Sequence, residues 1–364
     1  MNVGGPATLL HDLIERLPKN EFSHTLLTGS CESNEIDFLG NYSIDSSVVR
    51  LPSFTRSIFL FNDARALYAI FKHLRKLNPD VIHTHTSKAG VLGRLAAKLA
   101  APKAKVIHTY HGHLLYGYFS PSKTNLIVYL ERFLARITSN LVAVTSQVME
   151  ELLVRGVGPK NKWTVIRPGL PFPLPVDKSL ARTRMGIGQG DFVIAWVGRF
   201  TAIKNPVAMI EIAEGVYNQA LAPITIFMVG GGELLDSCRE LAASRKLPIH
   251  FTGWVSEASE YFTVADLLVM TSDNEGMPVV IVEAALRGVP TLSTNVGGVG
   301  EFIVDNSTGF LAGSAKEIPD LILKLVEDRK HLEIVSQAAL ALAKSEFSVE
   351  MMVSKHLEIY RDKN

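Results

Sequence analysis

Two series of short β-branched runs, each run separated from the next by a longer helical pattern, constrain this chain more than any other feature. Such alternation is the signature of parallel sheets covered by crossover helices. The first series is HTLLTG (24–29), SVVRL (47–51), DVIHTH (80–85), KVIHTY (105–110), NLVAV (140–144) and WTVIRPG (163–169). Helical patterns fall between them, notably at 62–77 and 88–100. The second series is DFVIAWVG (191–198), ITIFMVGGG (224–232), IHFTGWV (249–255), DLLVM (266–270), VPTLST (289–294) and GFLAG (309–313), followed by three helical segments. Between the series, RPGLPFPLPVD (167–177) breaks the periodicity, and proline's fixed φ makes it a stiff connector. We therefore read an α/β protein of two Rossmann-like domains, 1–170 with a returning helix at 347–364, and 171–346, as suits 364 residues. The chain opens on the loop GGPATLL, where a doubly wound domain has just completed its central first strand. That strand is missing from the pattern, which predicts unpaired backbone on its two neighbours.

Charge and cysteine content exclude several classes. Lys plus Arg number 37 and Asp plus Glu 36, so no global field invites nucleic acid, and an anion site has to be made by local geometry. Cys31 and Cys238 have no metal-ligand or CxxC spacing, which suits a reducing, cytoplasmic setting. No apolar run approaches the roughly 20 residues that span a bilayer.

The segment SDNEGMPVVIVEAALRGVPTLSTNVGGVGEF (272–302) carries the most specific chemistry. Pro278 is placed for the first turn of a helix that Gly288 and Pro290 stop. Its amino terminus then points out of a sheet's carboxyl edge, a site for phosphate. Glu275 sits at the mouth of that site, able to accept hydrogen bonds from sugar hydroxyls, and Gly276 lets backbone pass close to a ligand. Glu283 lies about a turn inside the helix, where a carboxylate can take both ribose hydroxyls. The competing reading is that both glutamates merely cap or decorate the helix. A second signal, VGRFTAIKNP (197–206), places Arg199 and Lys204 past another strand end, where fixed cations stabilise a departing diphosphate without a metal. No DxD-like acidic pair suggests a metal site.

The order GRF…K, GGGE, GW, EGMP…E and VGG resembles the retaining glycosyltransferases of family 4, which have the GT-B fold, with parallel sheets facing across a cleft. The resemblance covers nearly the whole chain. It implies that Arg199 and Lys204 hold the diphosphate, that Glu275 contacts the transferred sugar, with Gly276 and Met277 beside it, and that Glu283 binds the ribose. It places Gly231, Trp254 and Val255 near the nucleoside base, although Trp254 suits an ordinary core position equally well. Gly4 and Gly5 match the family's glycine loop, which approaches donor phosphate and acceptor. In HTYHGH (108–113), His111 matches the histidine that faces the donor sugar. His83, His85, His108 and His113 cluster nearby, yet strand alternation, which sends neighbours to opposite faces, argues against a metal site.

The implied catalytic set is thus Glu275, His111, Arg199 and Lys204, acting without cofactor or metal on a nucleotide-sugar substrate, UDP-sugar being favoured. The acceptor is a hydroxyl of a glycan or of a lipid-linked glycan. The segments 83–100 and 110–137 resemble the subgroup that builds bacterial surface polysaccharides. Within the second, Leu126, Ile127, Leu130, Phe133, Leu134 and Ile137 form a helical stripe among Lys123, Arg132 and Arg136. Core packing explains that stripe most simply; docking on an anionic inner membrane face is the alternative. Two paths joining the domains, near 168–176 and near 346, give cleft closure a hinge. Rival readings are a same-fold UDP-sugar epimerase, for which no extra carboxylate pair is evident, and a non-catalytic or truncated nucleotide-sugar-binding protein. A dinucleotide oxidoreductase lacks a GxGxxG after its first strand.

Overall fold

The computed structural model describes residues 5–31, 37–41, 43, 44, 46–55, 57–112, 120–255 and 258–362. The chain divides into two compact units, residues 1–170 with 349–364, and residues 171–348.

Unit 1 opens with helix α1 (Gly5–Arg16), strand β1 (Thr25–Gly29), the single turn α2 (Phe38–Asn41) and β2 (Ser47–Leu51). It continues with α3 (Leu60–Leu77), β3 (Val81–His85), α4 (Ser87–Ala100), β4 (Lys105–Tyr110), α5 (Pro121–Arg136), β5 (Asn140–Ala143), α6 (Ser146–Val154) and β6 (Trp163–Val165). All strand pairing is parallel, but in two pieces: β1 with β2, and β3-β4-β5-β6. Both pieces pack on the same helices, since Leu51 of β2, Ile82 of β3 and Val106 of β4 share a core with Ala66, Ile70 and Leu74 of α3 and Leu92 and Ala96 of α4. Beneath α5 lies a buried ionic bond: Arg94 donates to Glu131 at 2.8 Å, and Tyr110 donates to the same carboxylate at 2.6 Å.

Unit 2 contains α7 (Lys178–Arg184), β7 (Phe192–Val197), α8 (Pro206–Tyr217), β8 (Ile224–Val229), α9 (Leu235–Ser244), β9 (Ile249–Gly253), α10 (Ser259–Val264) and β10 (Leu267–Met270). There follow α11 (Val279–Ala285), β11 (Thr291–Thr294), β12 (Phe310–Ala312), α12 (Ile318–Glu327) and α13 (Arg329–Glu346). Its six strands form one parallel sheet in the order β12-β11-β10-β7-β8-β9. The strands are apolar on both faces because both are covered. Phe192, Ile194 and Trp196 face α8, α12 and α13, while Val193 and Ala195 face α10 and α11. The order also creates a switch point. From β7 the chain runs outward to β8 and β9, returns to the other side of β7 as β10, and then proceeds to β11 and β12. The winding thus reverses between the carboxyl ends of β7 and β10, the position at which open α/β sheets bind ligands.

The final helix, α14 (Val349–Arg361), belongs to unit 1. Val349 N–H donates to Leu170 O at 3.3 Å, and the Tyr360 hydroxyl lies 2.7 Å from His83 Nδ1. Residues 171–177 carry neither helix nor strand, as the prolines require.

Candidate active site

The unit 2 site is made by bonding two loops across the switch point. The Thr271 hydroxyl, at the end of β10, accepts from Trp196 Nε1 at 2.9 Å and lies 3.0 and 2.9 Å from the carbonyls of Lys204 and Asn205. Asp273 N–H donates to Ile203 O at 2.9 Å, and Asn205 Nδ2 donates to the Asp273 carboxylate at 3.1 Å. Asn205 takes the left-handed conformation, φ 47°, and caps α8 by accepting from Ala208 N–H. The consequence is that Lys204 Nζ reaches Glu275 and forms an ion pair with it, the carboxylate being largely buried.

The glycines serve this approach. A Cβ on Gly297, whose φ is +52°, would lie 1.9 Å from the carbonyl oxygen of Glu275, and Gly298 N–H donates to that oxygen at 3.1 Å. On the other side of β7, a Cβ on Gly230 would lie 2.0 Å from Gly198 O, so the GGG run seats the β8 loop against the loop that carries Arg199.

Each residue expected from the sequence can now be placed. Arg199 is exposed, and its guanidinium has no hydrogen-bond partner among the described residues. Glu275 stands in a loop paired with Lys204, and α11 has no side-chain cap, which removes the capping reading. Pro278 precedes α11 instead of occupying its first turn. Gly276 is half-buried and Met277 buried beside them. Glu283 lies on α11, and its carboxylate accepts no hydrogen bond among the described residues; burial pushes its pKa up, opposed by the charge of Arg287. Gly231 packs against Trp254, which is 43% exposed, so the core alternative for Trp254 fails. Val255 is half-buried and packs against the core cluster that contains Phe227 and Phe262.

In unit 1, Gly5 opens α1, while Gly4 and His113 lie outside the described residues. His111 follows β4, its Nε2 2.9 Å from Nδ1 of His85. The expectation that neighbouring histidines scatter to opposite faces holds only for His108, which contacts Thr84 at 2.8 Å and lies against Gly90. His83 and His85 are two apart on one strand, and register brings His111 to their face: the His83 and His85 ring centroids are 4.1 Å apart, those of His85 and His111 5.2 Å. His85, His111 and His356 border a narrow pocket of about 20 Å³ with Leu9, Leu13 and Met352, room for roughly one water. Burial, followed by the charge of His356, lowers the His111 pKa to about 4; burial likewise lowers His356 to about 4 and holds His83 and His85 well below 6.5. These imidazoles are neutral at pH 7. Among the described residues, no group of three or more His, Cys, Asp or Glu could hold a metal.

The helical stripe of 126–137 divides. Leu134 is buried and Ile127, Leu130 and Ile137 are half-buried, as core packing demands, whereas Leu126 and Phe133 are 68% and 47% exposed. Sequence reasoning passed over Thr271 and Gly297, and it named His85 only within a histidine cluster, without pairing it with His111; nothing marked Thr271.

Comparison with known proteins identifies the family. Residues 3–171 match the model of Glycosyltransferase Family 4, and residues 177–341 that of Glycosyl transferases group 1. An Escherichia coli protein, UDP-Gal:alpha-D-GlcNAc-diphosphoundecaprenol alpha-1,3-galactosyltransferase, is 30% identical over 359 residues, covering 96% of this chain and 91% of that protein. This chain belongs to glycosyltransferase family 4. Other proteins resemble it at lower identity. The Staphylococcus aureus capsular polysaccharide biosynthesis glycosyltransferase CapM is 22% identical, covering 85% of this chain and 83% of its own. Among solved structures, HepE of Anabaena in complex with UDP-glucose has a TM-score of 0.79 at 23% identity, covering 98% and 96% of the two chains. Sucrose-phosphate synthase of Thermosynechococcus elongatus has a TM-score of 0.84 at 19% identity, covering 99% and 93%. The fold of this glycosyltransferase is GT-B.

Proposed function

We propose that this glycosyltransferase moves a sugar from a UDP-sugar donor to a hydroxyl of a lipid-linked glycan, with retention of configuration, in building a cell-surface polysaccharide. One observation carries the donor reading: at the switch point of the unit 2 sheet, Lys204 and Glu275 are held together by the two loops that the reversal of winding juxtaposes. A cation and a carboxylate there suit a ligand with an anionic half and a hydroxylated half. Lys204 and Arg199 take the diphosphate and carry its growing charge as the glycosidic bond breaks. Glu275 accepts from the sugar hydroxyls, and Glu283 from the ribose. His111 offers the sugar a neutral hydrogen-bonding group. Glu275 is paired with a lysine and positions the sugar without attacking it, so the acceptor hydroxyl attacks on the face the diphosphate leaves, and the departing phosphate takes its proton. The E. coli relative supports the choice of UDP and of a lipid diphosphate acceptor, since its name specifies both. The protein then works at the cytoplasmic face of the membrane; among the described residues, no helix is long and apolar enough to cross it.

Calorimetric titration of UDP, GDP and ADP into the wild type and into the double variant Arg199→Ala, Lys204→Ala tests the donor site. UDP is expected to bind, and to bind at least tenfold more weakly to the variant, a loss of about 1.4 kcal/mol or more. If no nucleotide binds the folded protein, the reading is withdrawn.

A further inference from the structure

Lys204 stands at the end of a short turn of helix, Ala202–Lys204, in the segment that joins β7 to α8. Its ammonium is carried on a flexible four-carbon stem. A cation on such a support meets a ligand in one geometry only if the backbone beneath it is held from outside the segment. The buried Thr271, just past the end of β10, supplies that hold. Its Oγ1 lies 3.0 Å from the carbonyl oxygen of Lys204, 2.9 Å from that of Asn205 and 2.9 Å from Trp196 Nε1.

The chemistry of these three neighbours fixes the direction of the hydroxyl. An indole N–H can only donate and a carbonyl can only accept. The Thr271 hydroxyl therefore accepts from Trp196 and turns its one proton toward the two carbonyls. Trp196 is itself immobile: it is buried on β7, a strand paired with β10, and packs edge to face on Phe200 with ring centroids 4.9 Å apart. The segment meets the clamp with two successive carbonyls because the turn ends in the left-handed Asn205, φ 47°, whose N–H donates to Ala202 O at 3.0 Å. Two adjacent strands thus grip the backbone of Lys204 through one hydroxyl, and the side chain alone is left to move.

We propose that Thr271 is a positioning residue for donor binding: its hydroxyl, oriented by Trp196, sets the backbone from which Lys204 reaches both Glu275 and the diphosphate. The inference rests on the diphosphate reading of Lys204 and deepens it. Removing the hydroxyl has two consequences. The indole N–H and both carbonyls lose a partner, and in Thr271→Val the methyl that takes its place presses on carbonyls only 2.9 and 3.0 Å away, where carbon keeps roughly 3.3 Å or more from oxygen. Either way the segment shifts, and the ammonium shifts with it. Thr271→Ser keeps the hydroxyl and with it the clamp.

The test is calorimetric titration of UDP into the full chain as wild type, Thr271→Val and Thr271→Ser, each also in a Lys204→Ala background. Thr271→Val is expected to weaken UDP about fivefold, and Thr271→Ser to stay within about twofold of wild type. In the Lys204→Ala background the valine should change UDP affinity by less than about 1.5-fold, because residues that act as one unit are not additive. An equal loss in both backgrounds makes Thr271 a packing residue and overturns the proposal, as does undiminished binding by Thr271→Val. A second readout needs no nucleotide: the rate at which acetic anhydride labels the Lys204 amine, followed by peptide mapping, reports its pairing with Glu275, and Thr271→Val should raise it at least about twofold. Melting curves check that each variant is folded, and Thr271→Ala, which removes the hydroxyl without crowding the carbonyls, repeats the set if the valine variant is not. The two readings fail separately. If wild type binds no UDP while Thr271→Val still speeds the labelling, the donor reading falls and the placement of Lys204 by Thr271 stands; if Lys204→Ala weakens UDP while Thr271→Val changes neither binding nor labelling, the clamp falls alone.

Discussion

At the carboxyl edge of the unit 1 sheet, His83, His85, His111 and His356 stand in ring contact and are kept neutral by burial. At the corresponding edge in unit 2, Lys204 and Glu275 are charged, paired and held by loop-to-loop hydrogen bonds, with Arg199 exposed beside them. The two edges use polar side chains in opposite ways. The first withholds charge and offers single hydrogen bonds, as suits contact with hydroxyls; the second concentrates charge, as suits a diphosphate. Changes in protonation should therefore act on unit 1, and changes in ionic contacts on unit 2.

Glu283 is where the comparison is easiest to break, because it is an acid in unit 2 whose charged form, like that of the unit 1 histidines, is disfavoured by desolvation, and its carboxylate accepts no hydrogen bond among the described residues. Its folded pKa is raised, so its contribution to stability is present below the unfolded value of 4.5 and is lost as pH rises through the folded value. At neutral pH it works against the fold. Glu283→Gln should therefore leave the melting temperature unchanged or higher, while UDP binding weakens by about tenfold or more, the worth of a hydrogen bond to a charged group. A lower melting temperature with undiminished UDP binding would make Glu283 a structural residue and remove it from the donor site.

Acid should separate the units next. The folded pKa values of His111 and His356 are lowered from 6.5 to about 4, so the stability that comes from keeping them neutral is full above 6.5 and is lost as pH falls toward 4. Unit 1 is expected to lose amide protection from exchange across that window ahead of unit 2, and His356→Gln should reduce the pH dependence. Equal loss of protection in both units would contradict the electrostatic contrast.

Much of this was legible in the sequence, and the reason is periodicity. In unit 2 every second residue of β7 faces one helical layer, so FVIAWV could be read as a strand buried on both sides. Arg199, Lys204 and Glu275 could be singled out because they follow strand ends at short distances, and Glu283 because it lies about a turn inside the next helix; the roles expected of all four came from the family resemblance. What was hidden depends on contacts between segments far apart in the chain. Thr271 reads as an ordinary residue after a strand, yet it bonds across to residues 66 and 67 positions earlier. Gly297 reads as one half of a GG pair until the Glu275 carbonyl is found where its side chain would be. His85 could not be paired with His111 without the register of β3 against β4.

That last pair gives the smallest expected effect and the finest test of the contrast. Two neutral imidazoles 2.9 Å apart share one N–H, so the tautomer of His111, and with it whether its other nitrogen donates or accepts, is coupled to that of His85. His85→Ala removes that constraint and admits water. It should lower kcat roughly fivefold, about 1 kcal/mol, the net worth of one neutral hydrogen bond, with little change in donor KM. With less desolvation, the His111 pKa should rise from about 4 toward 6.5, carrying the acid limb of the activity profile upward with it. His85→Asn, which retains a hydrogen-bonding group at that position, should recover most of kcat. A residue that only filled space would change the melting temperature and leave the acid limb where it was, and that outcome would reduce the neutral edge of unit 1 to a packing arrangement.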